Sequence, residues 1–182
     1  PVLICSAHNI DEGGRLREIL YRLTDPLCDL TTQVSKAGLK RYVEVGAVPE
    51  GRIRYIPNGI DTKIFIPNSK ARNRVCESLG LRNCFVWIAV GRFYPQKDYP
   101  NLLQAFSQVV QVHSNTLLLI VGDGPLRPDM EELARKLRID NKVRFLGILR
   151  DVAEVMNTAD GFVLSSRYEG FGLVLAEAMA CE

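Results

Sequence analysis

The sequence is poor in the residues that usually hold metal ions. The chain has 182 residues but only two histidines, and no Asp-x-Asp pair occurs in it. Its five cysteines form no Cys-x-x-Cys pair, which favours buried, reduced thiols over a disulfide framework or a zinc site. We therefore expect no metal cofactor and a cytoplasmic location.

Two further absences narrow the class of protein. The formal net charge of +2 is too small to indicate a nucleic-acid partner. No apolar run approaches the length of a membrane span. Basic residues between positions 15 and 41 are interspersed with acids, so they do not establish peripheral contact with a membrane, which stays an open alternative.

What the sequence does contain is an alternation of apolar runs with helical stripes. Apolar runs at 85–90, 117–121, 143–146 and 161–164 are separated by helical patterns. This alternation predicts an α/β fold with a Rossmann-like parallel sheet and flanking helices. Before it, strands are expected at 2–5, 29–35 and 53–56, with helices near 15–23 and after Ser35. The prolines and Asn-Gly of 57–70 predict a domain junction.

The loops that follow the apolar runs carry the candidate binding groups. In a parallel sheet these loops share one rim, where ligands bind. Arg92 and Lys97 are cations that suit a diphosphate there, although solvated surface cations are the commoner case. The turn Gly122–Gly124 lacks the third glycine of a dinucleotide fingerprint, so it is weak evidence for NAD.

The last stretch combines two glutamates with a glycine loop and a helix. The loop and the helix N-terminus predict an anion site between hydroxyl-binding carboxylates. Glu177 has apolar neighbours on all sides, so we expect a buried helix and a partner for this carboxylate. Glu169 is equally compatible with a turn residue. His8, taken alone, favours a buried hydrogen-bonded group over a site residue.

Four motifs occur in order along the chain and together resemble the retaining glycosyltransferases of family 4, the group 1 enzymes with the GT-B architecture. They are Asn58-Gly59-Ile60-Asp61, Val90-Gly91-Arg92 with Lys97, Val121-Gly122-Asp123-Gly124-Pro125, and Glu169 to Glu177. The resemblance implies that residues 1–60 are the C-terminal part of the acceptor domain and 61–182 an incomplete donor domain. Such a fragment is expected to be weak or inactive alone.

The resemblance also implies roles for individual residues. Glu169 would contact and place the donor sugar, and His8 would lie near it. Arg92 and Lys97 would hold the donor diphosphate, and Glu177 the ribose. Backbone groups would complete the donor site, with Leu146 facing the base and the N–H groups of Gly170, Phe171, Gly172 and Leu173 facing the sugar and phosphate.

The implied reaction is hexosyl transfer with retention, without a metal, from a nucleotide-sugar donor. UDP is the favoured nucleotide. The acceptor would be a polysaccharide, a glycolipid or a lipid-linked saccharide, which would bring the protein to the cytoplasmic membrane face. Two alternatives stay open, a non-catalytic nucleotide-sugar-binding module and, less favoured, an NAD-dependent oxidoreductase.

Overall fold

The computed structural model describes residues 1–8, 14–81 and 83–181. The chain divides into two compact units, one of Pro1–Gly59 with Glu169–Leu173, the other of Ile60–Tyr168 with Val174–Glu182. Each unit is built around a parallel sheet. Across the described ranges, no helix has the length and apolar character that crossing a bilayer would require.

The first unit contains a three-stranded parallel sheet in the order β1-β2-β3. Its elements are β1 (Ile4–Ala7), α1 (Arg15–Thr24), β2 (Leu30–Gln33), α2 (Lys36–Glu44) and β3 (Ile53–Tyr55). Ser35 begins α2 as predicted, because its hydroxyl accepts a hydrogen bond from the Gly38 N–H at 3.0 Å. The first strand starts two residues later than predicted, since its pairing with β2 runs from Ile4 to Ala7.

The second unit contains a four-stranded parallel sheet in the order β6-β5-β4-β7. Its strands are β4 (Phe85–Val90), β5 (Thr116–Val121), β6 (Val143–Gly147) and β7 (Gly161–Phe162). The helices that follow β3 in the chain are α3 (Ser69–Ser78), α4 (Tyr99–Val112), α5 (Arg127–Lys136), α6 (Val152–Met156) and α7 (Leu173–Met179). The predicted α/β class with parallel sheets and flanking helices is confirmed.

Helices cover both faces of this second sheet, which explains its continuous apolar strands. Along β5, Leu118 and Ile120 face a core shared with α4 and α5. Leu119 and Val121 face the opposite core, to which α3, α6 and α7 contribute. Because successive strand residues point to opposite faces, every position of β5 needs an apolar or satisfied side chain.

Strand β7 is shorter than its predicted run, and two helices also differ from the sequence prediction. Helix α3 was missed, because few apolar residues mark its buried face; its local signal is Asn68, whose side chain accepts from the Ala71 N–H at 3.0 Å. The prediction that α7 is buried is wrong. The structure describes all of α7 and none of its residues is fully buried. Only one face, with Val174 and Ala178, packs against the sheet, while Leu175 and Met179 are exposed.

Candidate functional site

The strand order of the second unit contains a switch point. The chain steps from β4 to β5 to β6 in one direction, and then returns to place β7 on the other side of β4. In open parallel sheets, ligands bind outside the carboxyl ends of the strands at such a point. The two segments that leave β4 and β7 here are residues 91–98, which we name the β4 loop, and 163–168, which we name the β7 loop.

The β4 and β7 loops are tied to each other. The Ser165 hydroxyl donates to the Lys97 carbonyl at 2.7 Å, and the Arg167 N–H donates to the Gln96 carbonyl at 2.9 Å. The Arg167 guanidinium also contacts both oxygens of the Asp98 carboxylate, at 3.0 and 3.4 Å. Ser165, Arg167 and Asp98 were not predicted as site residues, because only the topology brings these two loops together.

Backbone hydrogen bonds join the loops that follow β4, β5 and β6. The Gly91 N–H donates to the Val121 carbonyl at 2.9 Å, and the Gly122 N–H donates to the Gly147 carbonyl at 2.8 Å. A Cβ on Gly122 would lie 2.0 Å from the Gly91 oxygen, and the φ of Gly122 is +135°. Glycine is therefore required at this turn by both conformation and space.

An open groove of about 650 Å³ runs along this rim. Its apolar wall includes Tyr94, Ile148 and Leu149, and its polar groups include Arg92 and Asp123. A groove with apolar walls and a few convergent polar groups is suited to a ring that carries a phosphate. Tyr94 and Ile148 were not predicted as lining residues, since both lie in loops outside the apolar runs.

The two predicted cations lie on the β4 loop in different settings. Arg92 is exposed, and its guanidinium lies over the Tyr94 ring, 5.4 Å from the centroid. Lys97 is half-buried, and its stem lies so close to Gly91 that a Cβ there would come within 3.3 Å of the Lys97 Cε. The Tyr99 hydroxyl donates to the Gly91 carbonyl at 2.9 Å, and burial raises the pKa of Tyr99, which keeps it a donor.

Glu177 lies on α7 and is half-buried in place of the predicted full burial. Desolvation raises the pKa of this carboxyl, because the charged form loses water. A ligand hydroxyl that donates to the carboxylate would favour the charged form again. Glu177 thus has the environment of an acceptor that gains from a bound donor.

Leu146 lies at an irregularity of β6. Ile120 pairs with Phe145 and Val121 with Gly147, so Leu146 is the extra residue of a bulge in the strand. Its side chain packs against the core on the α3, α6 and α7 face. The predicted contact of Leu146 with a base would therefore come from its backbone.

The remaining predicted site residues belong to the first unit. Glu169 and Gly170 are half-buried and Phe171 is exposed. Gly172 has a φ of +74°, after which α7 begins at Leu173. His8 directly follows β1 and is exposed, so the interpretation of it as a buried core histidine is wrong.

Comparison with known proteins identifies the family. A sequence model described as "Glycosyl transferases group 1" matches residues 78–182, which is more than half of the chain. EpsF of Bacillus subtilis, which is named as a glycosyltransferase, is 36% identical over 99% of this chain and 49% of its own length. The Escherichia coli UDP-Gal:alpha-D-GlcNAc-diphosphoundecaprenol alpha-1,3-galactosyltransferase is 32% identical over 71% of this chain and 34% of its own length.

Solved structures show the same fold. Anabaena Alr3699/HepE, crystallised with UDP and glucose, matches 99% of this chain and 50% of its own chain, with a TM-score of 0.88 and 23% identity. WaaG, a glycosyltransferase of lipopolysaccharide biosynthesis, matches with a TM-score of 0.78 and 21% identity, over 100% of this chain and 55% of its own.

The chain belongs to the group 1 glycosyl transferases. The solved structures that it matches are GT-B enzymes, as the resemblance implied. The chain spans about half the length, or less, of the curated relatives that it matches.

Proposed function

We propose that the protein transfers a hexosyl group from a nucleotide-sugar donor to a saccharide or lipid-linked saccharide. The observation that carries this proposal is the groove at the carboxyl ends of β4, β5 and β6. Arg92 lines this groove beside its apolar wall, on the same β4 loop that carries Lys97. This arrangement suits a nucleoside diphosphate, which combines an apolar ring with adjacent negative charge.

Different residues would contribute to different parts of the reaction. Arg92, Lys97 and the backbone N–H groups of 170–173 meet the charge that develops on the leaving diphosphate, without a metal ion. Glu177 accepts hydrogen bonds from the ribose. Glu169 and His8 act at the transferred sugar, which leaves by a front-face route with retention.

UDP is the proposed nucleotide, and two relatives support this choice. Alr3699/HepE was crystallised with UDP, and the E. coli relative is named for a UDP-galactose donor and a diphosphoundecaprenol acceptor. A lipid-linked acceptor of that kind would bring this protein to the cytoplasmic face of a membrane. Polysaccharide or glycolipid synthesis is the proposed setting.

Titration calorimetry tests the donor site directly. The protein is titrated with UDP, GDP, ADP and NAD under the same conditions. We expect binding of UDP that exceeds binding of the other three. Failure of all the nucleoside diphosphates to bind would remove the donor-site proposal, and binding of NAD alone would favour the oxidoreductase alternative.

A pair of matched variants separates the roles of the two glutamates. Glu177→Gln should weaken UDP binding about tenfold, the typical value for losing a charged hydrogen-bond acceptor. Glu169→Gln should leave UDP binding unchanged but slow release of UDP from a UDP-hexose in the presence of acceptor. Equal effects of the two substitutions on both measurements would contradict the assigned roles. UDP binding without turnover in the whole protein would favour the non-catalytic binding module.

A further inference from the structure

We propose that Arg167 and Ser165 are positioning residues that fix Lys97 for the donor diphosphate. This inference rests on the proposed function, because it assigns a purpose to contacts around the predicted diphosphate site. The two residues lie in the β7 loop, and neither was indicated by the sequence motifs.

The contacts act on three consecutive residues of the β4 loop. The Arg167 backbone N–H donates a hydrogen bond to the Gln96 carbonyl, and the Ser165 hydroxyl donates one to the Lys97 carbonyl. The guanidinium of Arg167 then pairs with Asp98. The backbone of Lys97 is therefore held on both sides and at its own carbonyl.

The backbone conformation of Asp98 is unfavourable, and the ion pair with Arg167 helps to offset this. Its φ and ψ are 47° and 45°, in the left-handed region that glycine occupies without strain. Its carboxylate is well shielded, with a side-chain exposure of 16%, whereas the side chain of Arg167 is 66% exposed. An exposed guanidinium thus crosses from the β7 loop to a strained residue next to Lys97.

Loss of this connection should allow residues 96–98 to sample other conformations. Lys97 would then have to be ordered again when a nucleotide binds, and that ordering opposes binding. An exposed ion pair contributes modestly, so we expect UDP binding about three- to fivefold weaker without it.

The test compares Arg167→Gln with a matched control, Arg135→Gln. Arg135 makes a similar two-contact pair with Glu132 on the surface of α5, at 3.1 and 2.8 Å, and its side chain is 59% exposed. Calorimetry with UDP should show the loss for Arg167→Gln and no change for Arg135→Gln. Arg167→Lys should restore part of the affinity, because a cation is again available to Asp98.

Asp98→Gly separates positioning from general stability. Glycine relieves the left-handed strain, so the midpoint of unfolding should stay the same or rise. UDP binding should nevertheless weaken as in Arg167→Gln, and the double variant should show no further loss, because both substitutions break one contact. A merely structural role predicts instead that affinity follows stability.

The possible outcomes separate this inference from the proposed function. If the unmodified protein binds none of UDP, GDP and ADP, the proposed function fails and the positioning role fails with it. If the unmodified protein binds UDP and Arg167→Gln binds it as tightly as Arg135→Gln does, the donor site stands and the positioning role is overturned.

Discussion

Substitution of Gly122 by alanine should destabilise the rim through a steric clash as well as through an unfavourable backbone conformation. The added Cβ would lie 2.0 Å from the Gly91 carbonyl oxygen and 2.8 Å from the Gly91 carbonyl carbon. These atoms are backbone, so no side-chain rotation relieves the contact. The β4 and β5 loops would have to separate by more than 1 Å to reach an ordinary van der Waals distance, roughly 3.4 Å.

The expected cost follows from three contributions. A non-glycine residue at the φ of +135° costs about 1–3 kcal/mol. Separation of the loops stretches the hydrogen bonds from Gly91 to Val121 and from Phe93 to Asp123, each worth about 1 kcal/mol. We therefore expect Gly122→Ala to lower the free energy of unfolding by about 3–5 kcal/mol.

Urea denaturation followed by the fluorescence of Trp87 measures this cost. Trp87 is the single tryptophan of the chain and lies in β4, so it reports on the second unit. The control is Gly80→Ala, since Gly80 has a φ of +63° but open space around its Cβ position. This control should lose only about 1 kcal/mol. If the two variants lose equal stability, the close approach of the β4 and β5 loops is refuted.

Three other outcomes are expected. At pH values above the usual pKa of a glutamate, Glu177→Gln should stabilise the protein. Burial raises the pKa of Glu177, so ionisation of this carboxyl destabilises the fold as the pH increases. Thermal unfolding at pH 4 and pH 8 should show the gain only at pH 8. Lys97→Met should weaken UDP binding about tenfold but leave uridine binding unchanged, because uridine lacks the diphosphate; equal losses in calorimetry would contradict the phosphate role. Arg72→Met should cost about 2 kcal/mol in urea denaturation, since it removes bonds to two carbonyls and to Asp160, whereas Arg74→Met, which removes one exposed ion pair, should cost under about 1 kcal/mol.

The second sheet could be predicted because its long central strands are apolar at nearly every position. Residues 85–90 form β4 over the predicted range, since burial on both faces leaves a continuous signal. Helix α3 gave no comparable signal. Arg72 and Arg74 project from it to hydrogen-bond the loop before β7 and Glu154 of α6, contacts that require the tertiary structure. A polar helix held by such contacts resembles a loop in sequence.

The candidate site likewise contains residues that sequence motifs indicate and contacts that depend on the tertiary structure. Arg92, Lys97 and Glu177 could be proposed from motifs, because each follows a recognisable strand or lies in an apolar helix. The ties from Ser165 and Arg167 to residues 96–98 could not, since their partners are about 70 positions away in the chain. The half-buried state of Glu177 also differs from the apolar pattern around it, because only one face of α7 is packed.

One of the non-glycine residues with a positive φ lies on the rim, next to Lys97. Three non-glycine residues in the described ranges have a positive φ, namely Asn83, Asp98 and Arg138. Arg138 follows the C-cap of α5, where the left-handed conformation is common, and Asn83 lies in the turn before β4. Asp98 ends the 3₁₀ turn Pro95–Lys97 and also precedes α4, where the capping residue is usually extended. Its left-handed conformation therefore links two helical segments directly, next to Lys97 and at the β4 end of the switch point.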